Sequence, residues 1–479
     1  MRLLLFLLGT SFVCATSATC TVTKESLETV VDLARGASPE LAADALIRVA
    51  ERTELPSGRR IELLEQAFRL ATVSSHPYRR RSALGSARGP AGYADRAYSL
   101  EIDTLSLQAR AVEGLLSLDP RKARQRFEDI SAIQLPSVTC EEFLVYDVHR
   151  FYEVLGEVAA SSFTAKEAKE GEPVKFLARY IGVISSPAQV GPVARLLTTA
   201  PVADAGFQVL TTAFASALTR IAGDDRSFTF AAEDTGESIR VLAELSRQRQ
   251  LSPAVVIGAY RSFLVNHLGG KRCEESVSSG NSTQPVDYFN ERLHIAAVPL
   301  LGETETIASK VEGKAQGLAS CESPECRGIR EQYRTLVSKG NEGAVQEGDR
   351  AQFDWQTRAR DFLSSLAAWQ QSSGAAPVDY FREKVQAYND LLAVVPVGDT
   401  RDFVLRSLSE FLLQNRLPAE NQLDWYLPVT QLAGRIGMDP GAFGRAAEDV
   451  RRANDSVIAL EMALESVAPR PTNAFMLLL

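Results

Sequence analysis

From Thr23 onward the apolar positions recur at intervals of three and four, not two. Leu41, Ala42, Ala45, Leu46 and Val49 share one helical face, and Ile61, Leu64, Ala67, Phe68 and Ala71 share the next. Punctuation bounds each run: Ser38-Pro39 opens one, Leu55-Pro56-Ser57-Gly58 separates two, and Asp119-Pro120 marks a later boundary. The same spacing predicts helices over 94–118, 141–160, 173–184, 187–199, 203–222 and 238–249. It continues over 253–268, 286–314, 325–339, 353–371, 378–395, 399–414, 419–434 and 441–466. Strand signals are scarce. Ser227-Phe228-Thr229-Phe230 alternates for too short a stretch to make a sheet and reads as an extended connection.

The predicted fold is therefore all-α with no substantial sheet, an irregular α-solenoid or stack of helical hairpins whose terminal helices act as caps. We divide the chain into a leader at 1–18, an N-terminal helical-repeat region at 19–250 and a C-terminal helical-repeat region at 251–479.

An internal echo supports stacking. Pro285-Val286-Asp287-Tyr288-Phe289 recurs as Pro377-Val378-Asp379-Tyr380-Phe381, 92 positions later. Proline at the first helical position gives up an N–H that would be unpaired anyway, and the aspartate faces the free backbone donors of the first turn. The echo is read as a repeated helix start. Leu118-Asp119-Pro120-Arg121-Lys122-Ala123, followed by Phe127, resembles a tetratricopeptide helix boundary. The resemblance covers one junction, lacks a 34-residue period, and implies only a helical-hairpin style of packing.

The ends of the chain change the compartment. Met1-Arg2 precedes the apolar run Leu3-Leu4-Leu5-Phe6-Leu7-Leu8, and small residues follow through Ala18, the pattern of a secretory signal cut near that residue. The run is too short to span a bilayer, and 255–268 is interrupted by Arg261 and His267. The expectation is a soluble protein of the periplasm or extracellular space without a transmembrane segment after signal removal. Loss of Arg2 takes the net charge of −8 to −9. An acidic chain with pI near 5.4 lacks the basic excess of a nucleic-acid binder, so no nucleic-acid partner is expected.

Six cysteines include Cys14, which leaves with the leader. In an oxidising compartment the remaining five read as one or two disulfides and a leftover thiol. Cys273, in a polar loop, and Cys321 and Cys326, around Glu322-Ser323-Pro324-Glu325, are the disulfide candidates. Zinc needs a second short-spaced ligand pair, which is missing, so no metal is expected.

Chemistry-bearing motifs are few. His76, His149, His267 and His294 form no close metal pair, and His149, between Tyr146 and Tyr152, reads as a hydrogen-bonded, partly buried imidazole. The chain has no nucleophile elbow, phosphate loop, dinucleotide fingerprint or HExxH helix, so neither catalytic residue nor cofactor is assigned. Asp224-Asp225 and Glu233-Asp234 are the acids nearest to a carboxylate pair, although neighbouring acids at helix ends are ordinarily solvated. The segment 74–92 carries Arg79-Arg80-Arg81, which is the candidate binding element because guanidinium groups grip anions with two prongs. The simpler expectation is that these arginines dock the loop on the protein's own acidic helices. Trp355, Trp369, Trp425 and Tyr426 read as core, with a sugar-stacking surface as the sharper alternative. Asn281-Ser282-Thr283 matches a glycosylation acceptor.

Taken together, the sequence points to an exported helical-repeat scaffold that binds a protein or peptide, more readily than to an enzyme. The alternative is a helical envelope enzyme acting on polysaccharide or cell-wall material through paired carboxylates.

Overall fold

The computed structural model describes residues 22–82, 89–222, 224–274, 283–313, 324–342, 354–371, 376–437 and 456–470. Helices dominate it and the strands are short, so the fold is all-α. The first helices are α1 (Lys24–Ala34), α2 (Pro39–Ala50) and α3 (Ser57–Ala71). After β1 (Arg80–Ser82) come α4 (Gly89–Tyr98), α5 (Thr104–Leu116) and α6 (Pro120–Glu128), then β2 (Leu144–Tyr146). Next are α7 (His149–Ser161), α8 (Ala165–Lys169), α9 (Glu172–Ile181), α10 (Val190–Thr199), α11 (Asp204–Leu218), α12 (Asp225–Gln248) and α13 (Ala254–Leu268).

Local sequence explains many of the boundaries. Thr23 and Ser26 form a reciprocal capping box at α1. At α6 the Asp119 carboxylate accepts from the Lys122 N–H at 3.1 Å and Pro120 fills the first position. The apolar stripes of α2 and α3 close on one another, and Leu41, Leu46, Val49, Leu64 and Ala67 are at most 1% exposed.

Beyond β3 (Lys271–Cys273) lie α14 (Thr283–Tyr288), a π-helical turn at Phe289–Leu293 and β4 (Lys310–Glu312). The chain then enters α15 (Pro324–Glu342), α16 (Trp355–Ala368), α17 (Pro377–Val394), α18 (Asp399–Gln414), α19 (Gln422–Gly437) and α20 (Ser456–Val467). The later copy of the echo starts a helix at Pro377. In the earlier copy the helix is already under way at Thr283, and it ends at Leu293, far short of the predicted 286–314.

Two further expectations are corrected. Ser227–Phe230 lies inside the first turns of α12, because Asp224 accepts from the Ser227 N–H at 2.7 Å and starts a helix where the alternation suggested an extended chain. The predicted helix at 141–160 begins only at His149, and Leu144–Tyr146 pairs antiparallel with β1 in the register Arg80 to Tyr146, Arg81 to Val145 and Ser82 to Leu144. The triple arginine thus lies at and inside a strand, not in an open loop. β3 and β4 form a second, parallel pair.

Packing passes residue 251 without a break, since α13 lies on α11 and α12. Neighbouring hairpins account for much of the core, but the first and last described helices also meet: α20 packs on α1, α2 and α19, and α4 packs on α17 and α19. The terminal helices therefore cover each other.

A buried charge cluster holds this junction. Arg48 on α2 contacts Glu465 at 2.7 Å and Glu461 at 3.3 Å on α20, and its Nε donates to the Ala468 carbonyl at 2.9 Å. Asp44, fully buried, receives Arg110 of α5 at 2.8 Å and Arg470 at 2.5 Å. Burial opposes its ionisation, but Arg470, Arg110 and Arg48 prevail and hold the carboxyl at about 2.

Candidate functional site

The ribbon of β1 and β2 fixes where the three arginines point. Successive side chains leave a strand on opposite faces, so Arg80 parts from Arg79 and Arg81. Arg80 reaches Glu142 and the Tyr146 hydroxyl, each at 3.0 Å, and lies over the Tyr146 ring at 4.8 Å. Arg79 donates to Glu101 at 2.7 Å, with Asp147 at 3.6 Å from its Nε. Arg81 meets Asp234 of α12 at 3.5 Å in a pair that is 38% and 54% exposed. The triplet spends its charge inside the protein, and only Arg81 stands loosely enough to face a cavity.

That cavity, of about 220 Å³, lies where the ribbon, the start of α7, α10 and α12 come together. Arg81, Asp147, His149, Arg195, Asp234 and Thr235 supply its polar lining. Each is set in place by local structure. Asp147 accepts the His149 N–H at 3.1 Å and so opens α7. Gly191 on α10 brings that helix close to α12: a Cβ at this position would stand 3.3 Å from Thr235 Oγ1. Thr235 is 2% exposed. Asp224, besides capping α12, accepts from the Val138 N–H at 2.9 Å, and Arg226 donates to the Cys140 carbonyl at 3.0 Å. The start of α12 is thereby tied to the segment before β2.

Arg195 donates through one Nη to His149 Nδ1 at 2.9 Å, while His149 Nε2 lies 2.9 Å from Glu153. This places the ring proton on Nε2, donated to Glu153, and leaves Nδ1 as acceptor. Among the described residues no carboxylate pairs with Arg195; its Nε is buried without an acceptor, and His149 is its hydrogen-bond partner.

Of the candidate acids, Asp224 is a helix cap and Asp234 faces Arg81; the side chains of Asp225 and Glu233 lie outside the described residues. His76 contacts the Glu420 carbonyl at 3.1 Å, and His267 is buried beside Phe228 and Phe263. His294 is exposed, and the described residues hold no cluster fit for a metal. Trp369, Trp425 and Tyr426 are at most 5% exposed, so these three belong to the core and offer no stacking platform. Trp425 donates to the Leu412 carbonyl at 2.9 Å. The Trp355 side chain, the Asn281 acceptor, Cys20, Cys321 and the leader lie outside the described residues.

Cys273 is joined to Cys140, 133 positions earlier, with Cα atoms 5.5 Å apart, a pairing the sequence reading did not single out. It had grouped Cys273 with Cys321 and Cys326, which lie much closer along the chain. Cys326 is also disulfide-bonded. A second cavity, about 610 Å³, lies beside the Cys140–Cys273 bridge, where Lys271 and Glu312 pair at 3.2 Å.

Arg195 and Thr235 escaped the sequence reading because no short motif joins them to Arg81. The available signal was that Arg195 is the sole charge in α10, Val-Gly-Pro-Val-Ala-Arg-Leu-Leu-Thr-Thr. No helix among the described residues is long and apolar enough to cross a membrane. No family model, curated protein or solved structure matches the chain.

Proposed function

We propose that this chain is an exported helical scaffold that binds a protein or peptide partner in the periplasm or extracellular space, and that the cavity between Arg81 and Arg195 engages that partner. The observation that carries the reading is Arg195: a guanidinium with no carboxylate partner among the described residues stands at a polar cavity assembled from four separate parts of the chain. At about 220 Å³ the cavity is smaller than the roughly 300–1,000 Å³ of pockets that enclose whole small molecules, which suits one side chain of a larger ligand. The Cys140–Cys273 bridge supports an oxidising compartment. The paired-carboxylate alternative draws nothing from Asp224 and Asp234, since one caps a helix and the other faces an arginine.

The test places a photo-crosslinking residue at Ala231, in the cavity wall, or at Val397, which is 76% exposed elsewhere. After exposure to the native extracytoplasmic fraction, a discrete adduct is expected at 231, competed by unlabelled protein and lost on Arg195→Gln. Equal labelling at 231 and 397, or an adduct indifferent to Arg195→Gln, would end the proposal.

A further inference from the structure

We infer that the group recognised in this cavity is a single carboxylate, presented by an acidic residue of a peptide. The inference rests on the binding reading above and gives it a ligand chemistry.

Charge decides the class. Four charged residues line the cavity: Arg81, Asp147, Arg195 and Asp234. Asp234 faces Arg81, and Asp147 is occupied by Arg79 and by the His149 N–H. Among the described residues Arg195 is the lining cation without a carboxylate, and its bond to His149 Nδ1 fixes the guanidinium plane. Glu153 lies on the opposite edge of that imidazole and is no part of the lining. A monoanion compensates Arg195. A phosphate, carrying nearly two charges, meets the added repulsion of Asp147 and Asp234.

Donor geometry agrees. Among the described residues Arg195 Nη1 makes no hydrogen bond, nor does the hydroxyl of Thr235, which stands on the facing helix. A planar carboxylate takes two parallel N–H donors from one guanidinium and one further donor at its outer lone pair. Glutamine at the same place would keep the size and lose the charge-assisted bonds.

The test uses biotinylated peptide pools with flanking positions randomised and the central residue fixed as glutamate, glutamine or phosphoserine. Each pool is immobilised and titrated with wild type, Arg195→Gln, Thr235→Val, and Ala231→Trp, which places an indole at the half-buried cavity wall. Melting curves accompany each variant. The expected result is at least tenfold stronger binding of the glutamate pool than of either other pool. Arg195→Gln should abolish that preference and Thr235→Val should weaken it severalfold. If all pools bind alike and Ala231→Trp removes binding without lowering the melting temperature, the carboxylate inference fails while the partner site stands. If binding survives Ala231→Trp, both fail. A phosphoserine pool that binds at least as well as glutamate, or a glutamate pool that does not bind, also overturns the inference.

Discussion

Replacing Arg48 by methionine should loosen the junction between the two ends of the chain. Arg48 is 2% exposed and contacts Glu461 at 3.3 Å, Glu465 at 2.7 Å and the Ala468 carbonyl at 2.9 Å. Methionine keeps much of the volume and removes every one of these donors. Among the described residues Glu461, fully buried, would then keep Arg470 alone, at 3.5 Å. Removing one partner of a buried ion pair costs about 3–5 kcal/mol, because the other charge is left in a medium that solvates it poorly. At about 1.4 kcal/mol per tenfold change, local opening of α20 should become about two to three and a half powers of ten more frequent. Hydrogen exchange read on peptides spanning 456–467 measures this directly, and exchange in α9, remote from the junction, should not change. Adding Glu461→Gln to Arg48→Met removes the stranded charge and should restore part of the protection, which isolates electrostatics from packing. The cluster also carries a pH signature. The folded Asp44 carboxyl sits at about 2, below its unfolded value of 3.8. Its contribution is therefore present above pH 3.8 and lost as pH falls through 2, about 2–3 kcal/mol in all. Exchange in 456–467 that stays within threefold of wild type in Arg48→Met would refute the claim that this cluster clasps the ends together.

Asp103 should behave in the opposite sense. It is 1% exposed, burial pushes its carboxyl up to about 6 against the opposing Ser106 hydrogen bonds and Arg79 charge, and its Oδ2 has no partner. The stabilising share of the protonated form is fully present below pH 3.8 and disappears as pH rises through 6. Asp103→Asn keeps a helix cap and should raise stability by about 3 kcal/mol at pH 8 while changing little at pH 3.5; a gain independent of pH in denaturant unfolding would contradict this. Non-reducing peptide mapping of protein from its native source should recover Cys140 linked to Cys273 and a mature amino terminus near Thr19 or Cys20. Free thiols at both cysteines, or an intact Met1, would remove the support for export.

The apolar periodicity was enough to reveal the helices because burial of a stripe against a neighbour is a local demand written at three- and four-residue spacing. Asp119-Pro120 and Ala376-Pro377 mark helix starts in the structure for the same local reason. What was not legible depended on partners far along the chain. Phe228 and Phe230 alternate as a strand would, yet a carboxylate at Asp224 and packing against α10 and α13 make the segment helical. Arg79, Arg80 and Arg81 formed a conspicuous basic run, but their meaning lay in Glu101, Glu142, Asp147 and Asp234, which the sequence scatters between positions 101 and 234.

The candidate site itself was hidden for the same physical reason. Its donor, Arg195, looks unremarkable in sequence, whereas the arginine triplet that drew attention is largely neutralised in the fold. A charge becomes available to a ligand by lacking a carboxylate in its surroundings, and only the fold defines those surroundings. The bridge from Cys140 to Cys273 ties the segment before β2 to β3, and the Val138–Asp224 and Arg226–Cys140 hydrogen bonds tie the same segment to the start of α12, so the cavity wall is held by long-range contacts. Composition and spacing can announce an all-α fold, but which cation the surrounding helices leave without a carboxylate is decided by contacts between positions far apart along the chain.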